Sequence, residues 1–506
     1  MFFQIFLTFT TCILFYCISY KKRNARLPPG PVRWPILGSL IQLHQADSEY
    51  VHIALAKLAK QYGDIMSFGF GMQTAVVISS FETMKNVFQR ADTNSHRFEF
   101  SYVFDRNYGK NLGILWSHGD TWVNVRTLTK KVLKEFGYGK SRIMDVSLVD
   151  SASQLIDGIK IELLDAIEGI FIVESHKFSI HVVNVLWNLI GGYKFNPNDE
   201  LIKRNMECAH KIIDVLSHRN PYNVLPFLKS WFPNYVHHPE HLKLHKEIHD
   251  FTKMLINDAK EKRSQRLQSE PTSFIEVFMD KIEDHRGDAK TIFTNEQLEI
   301  ILEDLFLAGL ETTGTFLAWA VLFLVQNPDV QRQLRHDILA KNMKRTEDLQ
   351  SLELKKLPYL KATVLETLRV GNVIPLPLPR FNTQDIEIRE YTIPKGSILF
   401  YNLYAMYNDE KYWTDPGIFR PDRFLQENGD IDIPKSERIL NSVMGTGPRI
   451  CFGESLAIDS LFVFLGALII NFKFEAIPGR EPSKENPDSV FCIGPRKYCM
   501  KITPEL

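Results

Sequence analysis

The sequence predicts a mainly helical domain with small β regions, an α+β arrangement, preceded by one N-terminal transmembrane helix. Three observations carry this. From residue 81 to 350 apolar positions recur at helical spacing, with few strand signals. Alternating apolar residues mark strands near 65–68 and 75–78, and short β-like runs return after 370 between Pro and Gly. No Gly/Ser linker, repeat or low-complexity tract divides the 506 residues. One large domain over residues 36–506 is therefore expected, although length alone suggests about three domains.

Composition is ordinary for a globular chain, 44% hydrophobic and 24% charged. The 60 basic and 60 acidic residues cancel, which removes any global electrostatic argument for nucleic-acid binding. The six cysteines (Cys12, Cys17, Cys208, Cys451, Cys492 and Cys499) form no CxxC pair. That pattern fits a reducing, cytosol-facing compartment better than a disulfide framework.

Residues 2–20 form an uncharged, mostly apolar run at the lower limit of length for a bilayer span. Lys21, Lys22, Arg23 and Arg26 follow it, and no charged side chain precedes it. This asymmetry predicts an anchor whose downstream chain faces the cytosol, rather than a cleaved signal peptide. The 21–35 segment, with Leu27-Pro-Pro-Gly-Pro31, reads as a basic, stiff hinge.

Within the domain, residues 50–62 read as a helix ahead of the two strands. Trp122 and Arg126 lie four apart, on one helix face, and both donate hydrogen bonds, so they can reach one anion. A core Trp beside a surface Arg is the plainer alternative. Lys130, Lys131 and Lys134 follow, a basic face that would suit an acidic partner or simply solvent. His241, His245 and His249 stand at i, i+4 and i+8. That spacing can hold a metal, but His-Lys-Glu-Ile-His is not the His-Glu-x-x-His order, and a solvated helix face is the default reading.

Residues 295–326 read as one long helix with Thr294 as its N-cap. Ala308-Gly309-Leu-Glu311-Thr312-Thr313 interrupts its apolar pattern. A carboxyl beside a hydroxyl in an apolar pocket can relay protons; taken alone, a kinked core helix explains the cluster better. Near the C-terminus, Gly445, Gly447 and Pro448 force a sharp turn before an apolar run that reads as a buried helix. Cys451 therefore sits at a helix start, where free N–H groups and the helix dipole favour a thiolate. Such a thiolate is a nucleophile or a metal ligand; a small buried cysteine is the bland alternative.

Gly447-x-Arg449-x-Cys451-x-Gly453-Glu454 resembles the haem-ligand loop of the cytochrome P-450 family, the haem-thiolate monooxygenases. Met444 stands where that family usually has Phe. The resemblance extends in order through Trp122-x-x-x-Arg126, the 308–313 cluster, Glu366-x-x-Arg369, Pro375 to Arg380 and Phe419-Arg-Pro-Asp-Arg423. It covers residues 28–506, and the chain resembles the animal microsomal type, arthropod members included. Glu283-x-x-Arg286 fits the Glu-x-x-Arg spacing too, but lacks the flanking motifs.

The resemblance implies a haem b whose iron is held by Cys451, in the loop shaped by Gly447 and Gly453. It makes Trp122, Arg126, Arg380 and Arg449 partners of the haem propionates. Thr312 resembles the residue that hydrogen-bonds dioxygen, Glu311 the acid that feeds protons, and Ala308 with Gly309 the gap for oxygen. Glu366, Arg369 and Arg423 resemble the buried network behind the haem. The implied reaction inserts one oxygen atom of O2 into a small hydrophobic substrate, by hydroxylation or epoxidation. Its electrons come from NADPH through a separate reductase, at the endoplasmic-reticulum membrane. A haem-thiolate isomerase or dehydratase and a non-catalytic haem sensor are the competing classes. Steroids, sesquiterpenoid hormones, fatty acids and xenobiotics are the substrate classes the resemblance allows. Expected cavity walls are residues 98–104, 205–230, the surroundings of Ala308, 373–376 and 491–493.

Overall fold

A computed structural model describes residues 26–505, apart from 91–94, 140, 216–220, 267–269, 486 and 489–490. The expected anchor at 2–20 and the start of the hinge lie outside these residues. Helix α1 (Val51–Tyr62) leads into strands β1 (Ile65–Phe70) and β2 (Gln73–Ile78). Helices α2 (Gly119–Glu135) and α3 (Ser141–Leu164) are followed by β3 (Ile170–Val173). Then come α4 (Ser179–Gly191), α5 (Glu200–Val215), α6 (His238–Ser264), α7 (Asn295–Gln326) and α8 (Pro358–Gly371). Short strands β4 (Arg380–Phe381), β5 (Ile386–Ile388), β6 (Tyr391–Ile393) and β7 (Ile398–Tyr401) precede α9 (Ile433–Val443). Helix α10 (Glu454–Asn471) and strands β8 (Phe472–Glu475) and β9 (Tyr498–Pro504) complete the order. Helices dominate, as the periodicity predicts.

The largest sheet has the order β1-β2-β7-β4. β1 and β2 are antiparallel, with Ile65 opposite Ile78, while β2 and β7 run parallel from Ala75–Ile398 to Ile78–Tyr401. Ala75, Val76, Val77 and Ile78 are completely buried, which is why this stretch is continuously apolar at its end. A second sheet has the order β3-β9-β8, and β5 pairs with β6.

Helix α7 is the axis of the core. The Thr294 hydroxyl accepts the Gln297 N–H at 3.1 Å, capping the helix where its sequence predicts. The helix runs unbroken through the 308–313 cluster and packs against α4, α6, α8 and α10. The approach of α4 requires Gly314: a Cβ there would meet the Ser179 backbone at 2.8–2.9 Å. α7 and α10 are long and apolar enough to cross a membrane, but their apolar windows are 83% and 72% buried, so they are accounted for as core helices.

One expectation is overturned. His245 and His249 do not lie on a solvated face of α6: both are buried, because α6 packs on α5 and α7. His249 Nε2 is 3.2 Å from Glu303, and the His245 ring lies 5.0 Å from the Tyr102 ring, tilted at 53°. No cluster able to hold a metal forms there among the described residues.

Candidate active site

The loop after α9 turns through Gly445 and Gly447, at φ +78° and +74°. Residues Gly447–Arg449 form a single 3-10 turn, the sharp turn the sequence suggests. A Cβ on Gly447 would run into the Phe88 carbonyl, so this position has no room for a side chain. The Cys451 N–H donates to the Met444 carbonyl at 2.7 Å, closing the loop and leaving the thiol facing a cavity. Helix α10 begins at Glu454, capped by Gly453. Burial pushes the Cys451 thiol up, against the opposing pull of the Gly453 N–H and Arg126. A cation bound at the sulfur would act with those N–H groups to hold it deprotonated.

The cavity encloses about 1730 Å³ of space free of atoms, part of it continuous with solvent. Cys451, Met444 and Phe452 line it from the loop, and Ala308, Gly309, Glu311 and Thr312 line it from α7. The Thr312 hydroxyl donates to the Ala308 carbonyl at 2.9 Å, so it is not bonded to Glu311. Of the expected walls, Tyr102, Ile213, Ile374, Phe491 and Cys492 line the cavity. Val182, Leu186 and the 114–116 segment also do, and sequence reasoning did not find them.

Besides Arg106, four guanidinium groups border the same space: Arg97, Arg126, Arg380 and Arg449. Among the described residues none of them has a carboxylate at ion-pair distance. Burial lowers the affinity of all four for their protons, and Arg380 further opposes Arg97 and Arg449. Arg449 is spent largely on backbone, donating to the carbonyls of Ser95, Ile114 and Ser117 at 2.7, 3.2 and 2.5 Å. Arg97, which the motif reading missed, donates to Leu378 and Pro379 carbonyls. Arg126 donates to the Ile450 carbonyl at 2.6 Å. Among the described residues Arg380 Nε and Nη1 and Trp122 Nε1 are buried with no hydrogen-bond partner. Unpaired buried donors in a cationic cluster call for an anion. A thiol needing a cation and guanidiniums needing carboxylates fit a haem with its two propionates.

Behind the loop, Arg369 holds Glu366 by two hydrogen bonds of 2.8 Å, and Arg423 Nε reaches the same carboxylate at 2.9 Å. Arg369 also donates to the Tyr407 and Pro416 carbonyls, and Arg423 to those of Thr414 and Ile418. Every member is paired, as a buried charge set requires. The Tyr407 hydroxyl meets Ser442 Oγ at 2.8 Å, linking this network to α9 just ahead of Met444. Glu283 and Arg286, by contrast, form an exposed surface pair.

A second buried set flanks the cavity. Arg106 donates to Glu303 at 2.9 Å and Asp304 at 2.5 Å. Asp304 also accepts the Ile114 and Leu115 N–H groups, fixing the 114–116 wall. Burial raises the Asp304 carboxyl; at Glu303 burial acts the same way, but Arg106, His249 and His245 together outweigh it and hold that group at about 2.

A helical fold that presents a loop cysteine, Cys451, and an arginine cluster to a shared apolar chamber defines a haem-thiolate protein. The chain belongs to the cytochrome P450 family: the family's sequence model matches residues 28–502. It is 30% identical over 482 residues to farnesoate epoxidase of Bombyx mori, covering 93% of each chain. It is 28% identical to cytochrome P450 2L1 of Panulirus argus over 94% of each chain. Against cytochrome P450 2C21 of Canis lupus familiaris the identity is 30%, over 92% of each. The chain is thus a cytochrome P450 monooxygenase of the animal microsomal type, and the family implies a haem cofactor.

Proposed function

We propose that this enzyme inserts one oxygen atom of O2 into a small hydrophobic organic substrate, with electrons passed from NADPH by a separate reductase. The observation that carries the reading is that Cys451, the Glu311–Thr312 pair and the arginines without carboxylate partners line one chamber. Haem b, held there, supplies the oxygen-activating chemistry. Cys451 would hold its iron, with Trp122, Arg126, Arg380 and Arg449 toward its propionates. Gly447 and Gly453 give the loop its path, and the Glu366–Arg369–Arg423 network braces it through Tyr407 and Ser442. Ala308 and Gly309 keep the adjoining wall low. Thr312 Oγ1 borders the chamber with its proton on the Ala308 carbonyl, from which the hydroxyl would turn toward O2 in the chamber, and Glu311 supplies the protons consumed. The mostly apolar walls exclude water and orient substrate by shape.

In the same reading residues 2–20 anchor the enzyme in the endoplasmic-reticulum membrane, with 21–35 as hinge and the domain on the cytosolic side. Lys130, Lys131 and Lys134 line a groove beside Arg126, which supports docking of an acidic reductase face. Steroids, sesquiterpenoids, fatty acids and xenobiotics remain the substrate classes. The silkworm relative, named for farnesoate, places a sesquiterpenoid first in a panel.

An optical titration of purified ferric enzyme against that panel tests the proposal. Saturable shifts of the haem band with one class define a dedicated enzyme, and weak shifts with all classes a generalist. A folded protein without any haem band sinks the reading.

A further inference from the structure

The Glu311 carboxylate has a partner that no motif announces. Helix α5 lays His210 across α7, and His210 Nδ1 contacts Glu311 Oε1. Glu311 at the same time lines the chamber, whereas its neighbour Thr312 is bonded to Ala308. On its other side the His210 ring lies 4.2 Å from the ring of His176. His176 is half-exposed beyond the end of β3, with Nε2 at 3.6 Å from Glu174. Glu174 in turn meets the exposed Lys497 at 2.8 Å. Among the described residues His210 Nε2 is buried with no hydrogen-bond partner, while Nδ1 faces Glu311 Oε1.

We propose that His176 and His210 carry protons from solvent to Glu311, which delivers them to the chamber. The inference rests on the proton-feeding role given to Glu311 above. An imidazole takes a proton at one nitrogen and releases it from the other, so a ring with one nitrogen toward the acid and the other free can pass a proton between them, the direction set by consumption in the chamber. The transfer runs from solvent to His176, from His176 to His210 Nε2, and from His210 Nδ1 to Glu311. Rings this close need only a rotamer change or one bridging water between them. Each transfer leaves the imidazole in its other tautomer, and a ring rotation restores the starting form before the next proton. The protons are consumed in the water formed from the second oxygen atom, with the electrons from the reductase.

Burial, with His176 adding to it, pushes His210 down to about 3, and burial lowers His176 as well. Both rings are therefore neutral at rest and pass a proton without storing it. The charged groups facing the pair are Glu311 from α7, Glu207 from α5, Glu174 and Lys177 near β3, Asp488, and Lys497 ahead of β9. His210 acts through Glu311 and is a positioning residue; it does not touch the reacting atoms.

The test compares His210→Gln, His176→Gln and Glu311→Gln in the haem-loaded full chain. Product per NADPH should fall several-fold in all three, with a larger solvent isotope effect on product formation. The substrate-induced absorbance shift and its Kd should stay at wild-type values in His176→Gln. Hydrogen–deuterium exchange of the Glu311 carboxyl, read by infrared without turnover, should slow in both histidine variants. If Glu311→Gln uncouples and both histidine variants remain coupled with unchanged exchange, this path is wrong and the acid role stands. If Glu311→Gln also remains coupled, the acid role itself fails. If His210→Gln does not fold, His176→Gln decides by the same readouts.

Discussion

Arg369 and Glu366 face each other through two parallel hydrogen bonds of 2.8 Å, with both side chains essentially excluded from solvent. Removing one partner of such a pair strands the other. Glu366→Ala leaves Arg369 and Arg423 uncompensated and should destabilise the fold by about 3–5 kcal/mol. Haem retention should fall with it, because Tyr407 and Ser442 transmit the network to the cysteine loop. Glu283→Ala, with the same local spacing on the surface, should change stability by about 0.5 kcal/mol or less. Urea midpoints and haem-to-protein ratios of the two variants check this.

Thr312→Ala should separate chemistry from folding. Its hydroxyl bonds only the Ala308 carbonyl within α7, so stability should change by less than about 1 kcal/mol. Product formed per NADPH should drop several-fold, with peroxide released instead. Unchanged product yield would remove the relay from the mechanism.

Gly447→Ala meets the Phe88 carbonyl at a φ of +74°. Backbone strain and that collision together should cost at least about 2 kcal/mol and displace Cys451. The measurement is the haem absorbance of the variant at matched protein concentration. Gly429→Ala, also at positive φ but with nothing within 4 Å, isolates the conformational part.

Burial holds His181, His241 and His245 each at about 4. In the unfolded chain they titrate near about 6.5, so below that pH the unfolded state binds more protons. Their contribution is complete above the unfolded value and is lost as pH falls toward 4. The denaturant midpoint should therefore decrease between about pH 7 and about pH 5, above the range where most carboxylates titrate. His245→Gln should flatten that decrease. A midpoint independent of pH over this window would contradict the burial argument.

What the sequence reveals depends on how locally each feature is encoded. The Thr294 cap, the strands near 65 and 75, and the turn at Gly447 follow from neighbours a few residues apart, and the structure has all three. Glu366, Arg369 and Arg423 meet as their motifs imply. His210 and Glu311 are 101 positions apart, and only the crossing of α5 over α7 brings them together. His245 and His249 misled for the same reason: their spacing marks a helix face, but the neighbours that bury it come from distant segments. Arg97 escaped because its partners are backbone carbonyls, which leave no side-chain signature.

The parallel pairing of Ile78 with Tyr401 has a consequence in time. These residues are 323 positions apart in the chain (401 minus 78). At a synthesis rate of about 5–20 residues per second, β2 waits about 15–65 s for its partner strand to be made. Throughout that interval an apolar edge that ends fully buried stays open to other chains. Yield in a foreign host should thus depend on how well this one early strand is shielded during translation.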